Sequence, residues 1–378
     1  MANGQETSQT LRPTWFEIDL GAIRHNFREL RRLVGPAVAI YACMKRNAYG
    51  CGIVPVSKAC LEEGAAGIAV GSANDAVAMR IGGIHASILV YPACLADAAP
   101  LFERHDLIPT ISTEDDAQAW NAELTKPREV FLKVDVGLFR AGTMYNQADR
   151  FFSAVKAMPK LKPIGIYSHF FSYGADQSPQ NYHWQFRNFE EVIARAKNVG
   201  MGGLLYMVSS TNAVLDFPQM DLAGVDPGRL LFGLGASATG ARSGTFRPAL
   251  SAFKSRIVTL KSTGPLRLSE YRPPIPVRDN MRIGVLPLGW GDGLPRKVGS
   301  AAAVLVRGRR APLLDPIHLE HSRIDLTEIV DAAIGDEVVI VGRQGAAEIT
   351  LREVVENWGI DEATFHGGMR DHITRIYV

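Results

Sequence analysis

Lys45 directly follows a continuous apolar run, residues 37–44. Such a run is typical of a parallel strand that is buried on both faces. At the carboxyl end of a barrel strand, where catalytic residues collect, a partly desolvated lysine amine is a nucleophile that can form a Schiff base. The position of Lys45 alone does not distinguish a catalytic lysine from an ordinary surface lysine. The neighbouring elements and motifs must distinguish the two.

Short apolar runs alternate with longer amphipathic stretches over residues 14–243. This alternation predicts parallel strands that are joined by right-handed helical crossovers. About eight such units over roughly 230 residues match an α/β fold, the (β/α)8 TIM barrel. A doubly wound sheet is the competing architecture, but it rarely needs so many consecutive units. The last barrel strand is predicted near residues 229–232.

After residue 243 the pattern changes to short strands that are separated by turn residues. The sequence therefore predicts a mostly-β C-terminal domain over residues 244–378, which one helix at residues 351–358 interrupts. Residues 1–13 are polar and are predicted to form a flexible N-terminal tail.

Composition limits the classes of function. Lys and Arg together number 41 and Asp and Glu 39, so the formal net charge is +2, which predicts no nucleic-acid or membrane partner. The N-terminal residues lack the apolar segment of a signal peptide, and no run of about 18 apolar residues predicts a membrane span. The four cysteines show no metal-binding spacing, so we expect a reduced, cytoplasmic protein without a metal site.

The residues around Lys45, ACMKRNAYGCG at positions 42–52, resemble the cofactor-lysine motif A-V-x-K-A-D-A-Y-G-H-G of the alanine racemase family. Further motifs follow in the order of that family. Residues 131–142 resemble H-L-K-x-D-T-G-M-x-R-L-G, residues 168–170 resemble T-H-F, and residues 209–213 resemble A-N-S-A. The resemblance runs along nearly the whole chain from Trp15, and it implies a pyridoxal 5'-phosphate (PLP) enzyme whose small-molecule substrate is an amino acid.

The resemblance also implies roles for individual residues of the barrel. Lys45 would carry PLP covalently. Arg140 would bond the ring oxygen of PLP and lie near the substrate carboxylate, and Lys133 matches a lysine, often carbamylated in the family, that steadies this arginine. His169 would stack against the ring or bond near it. The phosphate would be held by hydroxyls and backbone amides of Tyr49, Ser210, Thr211, Gly228 and Arg229.

Racemisation requires one base on each face of the reacting carbon. Lys45 is the first candidate. The resemblance implies that the second is Tyr271, supplied by the second domain of the partner subunit. An active site that needs two chains implies a head-to-tail homodimer.

Several positions depart from the family pattern. Asp226 replaces an arginine that bonds the pyridine nitrogen of PLP and keeps it unprotonated. A carboxylate there would hold a proton on that nitrogen and deepen the electron sink, unless residues 226–228 are only an Asp-Pro-Gly turn without cofactor contact. Leu319 replaces a methionine whose backbone amide holds the substrate carboxylate, and Asp371 replaces a tyrosine that contacts the phosphate.

The sequence leaves two functions open. The first is an amino-acid racemase or epimerase that uses Lys45 and Tyr271 on a substrate that need not be alanine. The second is a PLP-dependent lyase, an aldolase or a decarboxylase, which Asp226 and the altered substrate positions favour. A non-catalytic PLP-handling protein is disfavoured, because single-barrel relatives of that kind lack the C-terminal domain.

Overall fold

The computed structural model describes residues 12–171, 178–235, 240–267, 270 and 275–378. They form two compact units, one of Gly21–Arg247 and one that combines residues 12–20 with Pro248–Val378. The first strand, β1 (Thr14–Ile18), therefore belongs to the second unit, whereas the sequence analysis grouped it with the barrel. A strand followed directly by a helix has the same pattern in both arrangements, so only the pairing of the strand distinguishes them.

The first unit is a nearly closed barrel of parallel strands, which confirms the predicted (β/α)8 architecture. Its strands are β2 (Ala39–Cys43), β3 (Gly67–Val70), β4 (Ile88–Val90), β5 (Thr110–Ile111), β6 (Arg128–Asp135), β8 (Leu161–Tyr167), β9 (Leu205–Ser209) and β10 (Gly224–Val225), with β7 (Thr143–Met144) paired to β6. The order around the barrel is β4-β3-β2-β10-β9-β8-β6-β5. A parallel bridge between Leu89 and Ile108 joins the two ends of this order.

Helices connect the strands of this unit. They are α1 (Leu20–Val34), α2 (Ile53–Glu62), α3 (Ala73–Ile81), α4 (Ala99–Arg104), α5 (Glu114–Glu123), α6 (Ala148–Lys156), α7 (Pro179–Asn198) and α8 (Thr211–Asp216). Hydroxyl side chains start three of them by accepting a hydrogen bond from a backbone N–H of the first turn, namely Ser72, Thr113 and Ser178. Within the described ranges, no helix is long and apolar enough to cross a membrane.

The barrel interior is filled by inward side chains from successive strands. They include Tyr41, Ala69, Leu89, Ile108, Phe131, Tyr167 and Met207. Small residues make space for the large ones: a Cβ atom at Gly165 would lie 2.2 Å from the Phe131 ring. The barrel is therefore a packed core and its chemistry is restricted to its ends.

The prediction of a barrel strand near residues 229–232 is wrong. Arg229–Phe232 form a single 3-10 turn, and the last barrel strand is the shorter β10. Gly233 adopts a left-handed conformation with φ of 74° and ends this turn. The apolar residues Leu230, Leu231 and Phe232 are fully buried, so their hydrophobicity fitted a strand equally well.

The second unit is built on one mixed sheet, as the C-terminal sequence predicts. Besides β1, its strands are β11 (Leu250–Arg256), β12 (Thr259–Ser262), β13 (Arg282–Leu286), β14 (Ala303–Val306), β15 (Arg309–Leu314), β16 (Ser322–Asp325), β17 (Glu337–Gln344), β18 (Ala347–Ile349) and β19 (Thr374–Tyr377). β1 lies between β11, with which it pairs antiparallel, and β19, with which it pairs parallel. The predicted helix is present as α9 (Leu351–Trp358), and a second one, α10 (Glu362–Gly368), follows it.

A buried amide ties α1 to the chain that follows the last barrel strand. The Asn26 Nδ2 group donates to the carbonyl oxygens of Leu231, at 3.0 Å, and Arg247, at 2.8 Å. Its Oδ1 accepts from the Arg247 N–H at 2.7 Å. Asn26 is completely buried, and its bond to the Leu231 carbonyl is shielded from water, whereas the two bonds to Arg247 are partly buried.

We therefore expect Asn26→Ala to lower the free energy of unfolding by about 1–3 kcal/mol, because the buried Leu231 carbonyl and two partly buried backbone groups of Arg247 lose their partner. Urea denaturation measures this change. The matched control is Asn146→Ala at an exposed position of the same unit, which should change the free energy by less than about 0.5 kcal/mol. Equal effects of the two substitutions would contradict the structural role of Asn26.

Candidate active site

Lys45 stands at the carboxyl end of β2, where the chain enters an unusual turn. Residues 46–49 all have positive φ angles, between 52° and 54°, which is a left-handed turn made without glycine. Such a conformation costs roughly 1–2 kcal/mol per residue, so the surroundings must hold it. Asn47 supplies one restraint, because its Oδ1 accepts a hydrogen bond of 2.7 Å from the backbone N–H of Ile53.

This left-handed turn brings Tyr49 against Gly228 on the loop after β10. A Cβ atom at Gly228 would lie 2.4 Å from the Tyr49 Oη, so only glycine fits there. The Tyr49 ring also packs on Phe232, with 4.8 Å between the ring centroids. Burial raises the pKa of Tyr49, and the negative charge of a Cys43 thiolate would raise it further, so the phenol remains a neutral hydrogen-bond donor.

The other predicted phosphate residues lie at the same end of the barrel. Ser210 and Thr211 follow β9, and Thr211 is buried. The Arg229 Nη2 donates to the Asn212 Oδ1 at 2.9 Å, which links the first turn of α8 to the turn after β10. The loops that follow β2, β9 and β10 therefore converge, as expected for a phosphate site on this fold.

A cavity of about 400 Å³ opens at the carboxyl ends of the strands. Four residues predicted to bind the cofactor line it together: Lys45, Arg140, His169 and Asp226. Lys133, which was predicted to steady Arg140, also lines it, and the other lining residues are Tyr91, Pro92, Ala141 and Tyr167. A second cavity of about 410 Å³ lies near Asp106 and Arg128 and contains no predicted site residue.

Asp226 is buried in this cavity wall and carries an unused hydrogen-bond acceptor. Its Oδ2 accepts from the Tyr91 Oη at 2.8 Å. Its Oδ1 is buried and has no hydrogen-bond partner among the residues that the structure describes. Burial raises the pKa of Asp226, whereas the nearby charge of Lys45 and the hydrogen bond from Tyr91 oppose that rise. A buried oxygen of this kind is suited to a donor on a bound molecule.

Asp135 shapes the loop that carries Arg140. Its Oδ1 accepts from the backbone N–H groups of Gly137 and Leu138, each at 2.8 Å. Its Oδ2 accepts from the Arg140 N–H, also at 2.8 Å. Three bonds from one buried carboxylate fix the backbone, while the Arg140 side chain stays exposed at the cavity.

Two basic groups of the cavity have lowered pKa values. Burial lowers the pKa of Lys133 to about 7, and the positive charges of Arg140 and Lys45 act in the same direction, whereas the charge of Asp226 opposes them. Burial also lowers the pKa of His169 well below its ordinary value, helped by the charges of Lys45, Lys133 and Arg140. A neutral imidazole and an amine that exchanges its proton near neutral pH therefore face the cavity.

Three predicted site residues belong elsewhere in the chain. Tyr271 lies outside the described residues. Leu319 and Asp371 belong to the second unit, where both are exposed. The Leu319 carbonyl accepts from the Gly291 N–H at 2.8 Å, and the Asp371 Oδ1 lies 3.7 Å from the Arg375 Nη2.

The sequence analysis missed Tyr91 and Tyr167 as site residues. Both stand at the carboxyl ends of barrel strands and line the cavity. The Lys45 Nζ lies 4.7 Å from the centroid of the Tyr91 ring, and the Lys133 Nζ lies 4.3 Å from that of Tyr167. The strand-end rule that selected Lys45 would also have selected these tyrosines.

Known proteins resemble this chain over nearly its whole length. Residues 18–236 match the family of the alanine racemase N-terminal domain, and residues 250–377 match that of the C-terminal domain. The chain belongs to the alanine racemase family. It is 33% identical over 370 residues to alanine racemase of Halothermothrix orenii, which covers 97% of both chains. It is 32% identical over 377 residues to that of Desulforamulus reducens, covering 97% of this chain and 99% of the relative.

Solved alanine racemases share the fold. The enzyme of Bacillus anthracis, solved with bound L-Ala-P, superposes with a TM-score of 0.87 at 25% identity, covering 98% of this chain and 96% of that one. The enzyme of Enterococcus faecalis (E. faecalis) gives 0.84 at 26% identity, covering 98% and 99%. Membership of the alanine racemase family makes this protein a PLP-dependent isomerase.

The residues present fit PLP at three chemically different points. Lys45 offers an amine to its aldehyde carbon. The neutral Tyr49 hydroxyl, which lies against Gly228 on the loop after β10, offers a hydrogen-bond donor to a phosphate. The unpartnered Oδ1 of Asp226 supplies an acceptor for a protonated ring nitrogen.

The contact between Gly228 and Tyr49 predicts the effect of a single methyl group. Gly228→Ala must displace the Tyr49 hydroxyl, so we expect the Kd of PLP to rise about tenfold or more, which corresponds to about 1.4 kcal/mol. Fluorescence titration of the apoprotein with PLP measures the change. The control is Gly202→Ala, where the nearest atom to the new Cβ would be 3.9 Å away, and an unchanged Kd in both variants would refute the prediction.

The lowered pKa of Lys133 predicts a pH-dependent stability. Between pH 7 and 10.5 the unfolded chain binds a proton at this lysine that the folded chain does not, so the penalty of the charge is full below pH 7 and disappears as the pH rises to 10.5. Lys133→Met should therefore raise the Tm of the PLP-free protein at pH 7 by on the order of 2 °C or more. The gain should shrink toward pH 10.5.

Differential scanning fluorimetry over this pH range provides the measurement. Lys58→Met changes an exposed lysine of the same unit and should give no such trend. A gain from Lys133→Met that stays constant or increases with pH would contradict a lysine that is neutral in the folded protein.

Proposed function

We propose that this protein is a two-base amino-acid racemase whose preferred substrate is larger or more polar than alanine. The observation that carries the proposal is the convergence of Lys45, Arg140 and Asp226 on one cavity at the carboxyl ends of the barrel strands. These groups are an amine, a guanidinium and a carboxylate. They match the aldehyde of PLP, the carboxylate of an amino acid and the ring nitrogen of PLP.

The cofactor, when bound, withdraws electrons from the α-carbon of the amino acid and makes its proton removable. Lys45 would hold PLP and would remove or return the α-proton on one face. Tyr271 of the partner subunit would act on the other face, which makes the enzyme a head-to-tail homodimer. An ordinary tyrosine, with a pKa of about 10, needs cationic neighbours to serve as a base at neutral pH.

Other residues of the cavity bind and orient. The Arg140 guanidinium would hold the substrate carboxylate or the ring oxygen of PLP. The neutral His169 would pack against the ring without adding positive charge to it. Tyr49, Ser210, Thr211, Gly228 and Arg229 would hold the phosphate, and Asp226 would keep a proton on the ring nitrogen.

The substrate proposal is supported by residues that differ from the family pattern. Asp226, Leu319 and Asp371 replace an arginine, a methionine and a tyrosine of that pattern. A site selected for the methyl side chain of alanine has no need of them. Turnover of alanine as efficient as that of any other amino acid would refute this part of the proposal.

A PLP-dependent lyase is the second candidate, and the unpartnered Asp226 oxygen favours it. A protonated ring nitrogen stabilises negative charge at the α-carbon whichever bond is broken. The two candidates differ in their products, because a racemase returns the same atoms with inverted configuration and a lyase releases a fragment.

We expect the PLP-bound enzyme to interconvert D- and L-forms of at least one amino acid in a panel, as chiral chromatography will show. Lys45→Ala should abolish interconversion together with the visible absorbance of covalently bound PLP. Tyr271→Phe should retain that absorbance and lower kcat about 100-fold or more, because it removes one acid–base group.

Lys58→Ala, at an exposed position of α2, is the control for loss of a lysine and should match the parent enzyme. Release of an aldehyde or carbon dioxide without inversion would replace the racemase by the lyase. Full activity of Tyr271→Phe would remove that tyrosine from the mechanism.

A further inference from the structure

We propose that Tyr91 is a positioning residue that aims the Asp226 carboxylate at the PLP ring nitrogen and keeps it ionised. This inference rests on the proposed contact between Asp226 and that nitrogen. It concerns a residue outside the motifs that carry the family resemblance, since Tyr91 lies at the end of β4 and those motifs follow other strands.

The hydrogen bond between Tyr91 and Asp226 spans the barrel mouth. β4 and β10 are separated in the barrel by β3 and β2, yet the two side chains are joined by a bond of 2.8 Å. The backbone of each residue is also anchored: the Tyr91 N–H donates to the Val70 carbonyl at 2.9 Å, and the Asp226 N–H to the Ser209 carbonyl at 3.2 Å. The side-chain bond therefore fixes the remaining rotation of the carboxylate.

Only one oxygen of the Asp226 carboxylate accepts a hydrogen bond from Tyr91. Oδ2 accepts from Tyr91, and Oδ1 has no partner within the described ranges. Without the phenol, Oδ2 would lose this donor in a buried place, which shifts the balance from the carboxylate toward the neutral acid. A neutral acid gives up the negative charge that stabilises a protonated ring nitrogen.

The same tyrosine also contacts the lysine. The Lys45 Nζ lies 4.7 Å from the centroid of the Tyr91 ring, within the range of a cation–π interaction. Tyr91 is thus placed between the group that would hold the aldehyde carbon and the group that would hold the ring nitrogen. The aldehyde carbon is attached to the ring carbon opposite the nitrogen, so a residue that contacts both Lys45 and Asp226 is suited to keep their side chains in place relative to each other.

The test uses the holoenzyme reconstituted with PLP that carries ¹⁵N in the ring, because the ¹⁵N chemical shift reports directly whether that nitrogen is protonated. We expect a protonated nitrogen in the parent enzyme and an unprotonated one in Asp226→Asn. Tyr91→Phe should move the shift toward the unprotonated value. Its kcat should fall about tenfold or more with little change in KM, because the carboxylate loses a hydrogen bond that favours its charged form.

The matched control is Tyr167→Phe, which removes a phenol from the same cavity. The Tyr167 hydroxyl bonds the Thr110 Oγ1 at 2.9 Å, so its loss should leave the ¹⁵N shift unchanged. Tyr91→Leu, which also lacks the donor but packs differently, should give the same shift as Tyr91→Phe. Stoichiometric PLP binding confirms that each variant is folded.

The outcomes separate this inference from the proposed function. If the ring nitrogen loses its proton in Asp226→Asn but keeps it in Tyr91→Phe, the role of Tyr91 is overturned and that of Asp226 stays intact. An unprotonated nitrogen in the parent enzyme overturns both roles, while D/L interconversion is assayed independently. A shift in Tyr167→Phe equal to that in Tyr91→Phe also overturns the inference, because the effect is then not specific to the Asp226 bond.

Discussion

Positive charge that is gathered at one end of a barrel needs a counterion that is fixed in place. Lys45, Lys133 and Arg140 all border the cavity, and the Asp226 carboxylate is buried among them. The low pKa of Lys133 and the raised pKa of Asp226 have the same origin, since burial disfavours both charged forms. The chemistry of the cavity therefore depends on how well Asp226 is held in its ionised form. Its hydrogen bond to Tyr91, on the far side of the mouth, favours that form.

The backbone around the cavity allows two of its loops to approach each other closely. Four consecutive residues accept left-handed angles so that Tyr49 can reach the loop after β10. That loop accommodates the tyrosine only because Gly228 has no side chain. The strained turn before Tyr49 and the absence of a side chain at Gly228 are thus both needed for the contact between these two residues. Neither residue alone would form a surface shaped for a phosphate.

The sequence predicted the barrel, the C-terminal sheet and the four residues that meet in the cavity, because each depends on local patterns or on contiguous motifs. The place of β1 and the turn at Arg229–Phe232 were not predictable in this way. An apolar run has the same sequence pattern in the barrel, in the C-terminal sheet and in a buried turn. Only the long-range pairing of its backbone distinguishes these structures. Tyr91 was missed for a related reason: its partner is 135 residues away in the chain, and no periodicity connects the two.

The position of β1 has a consequence for the order in which the protein is made. The barrel is built from one continuous stretch, Gly21–Arg247, so it can close while the ribosome is still translating the C-terminal sheet. β1 is synthesised before any of the barrel, yet its neighbours are Leu250–Arg256 and Thr374–Tyr377. β1 therefore lacks its β11 partner until about two-thirds of the chain has been synthesised, and it lacks its β19 partner until the end of translation. Such a strand is exposed to chaperones, and its late insertion between two partners is a slow, non-local step in folding.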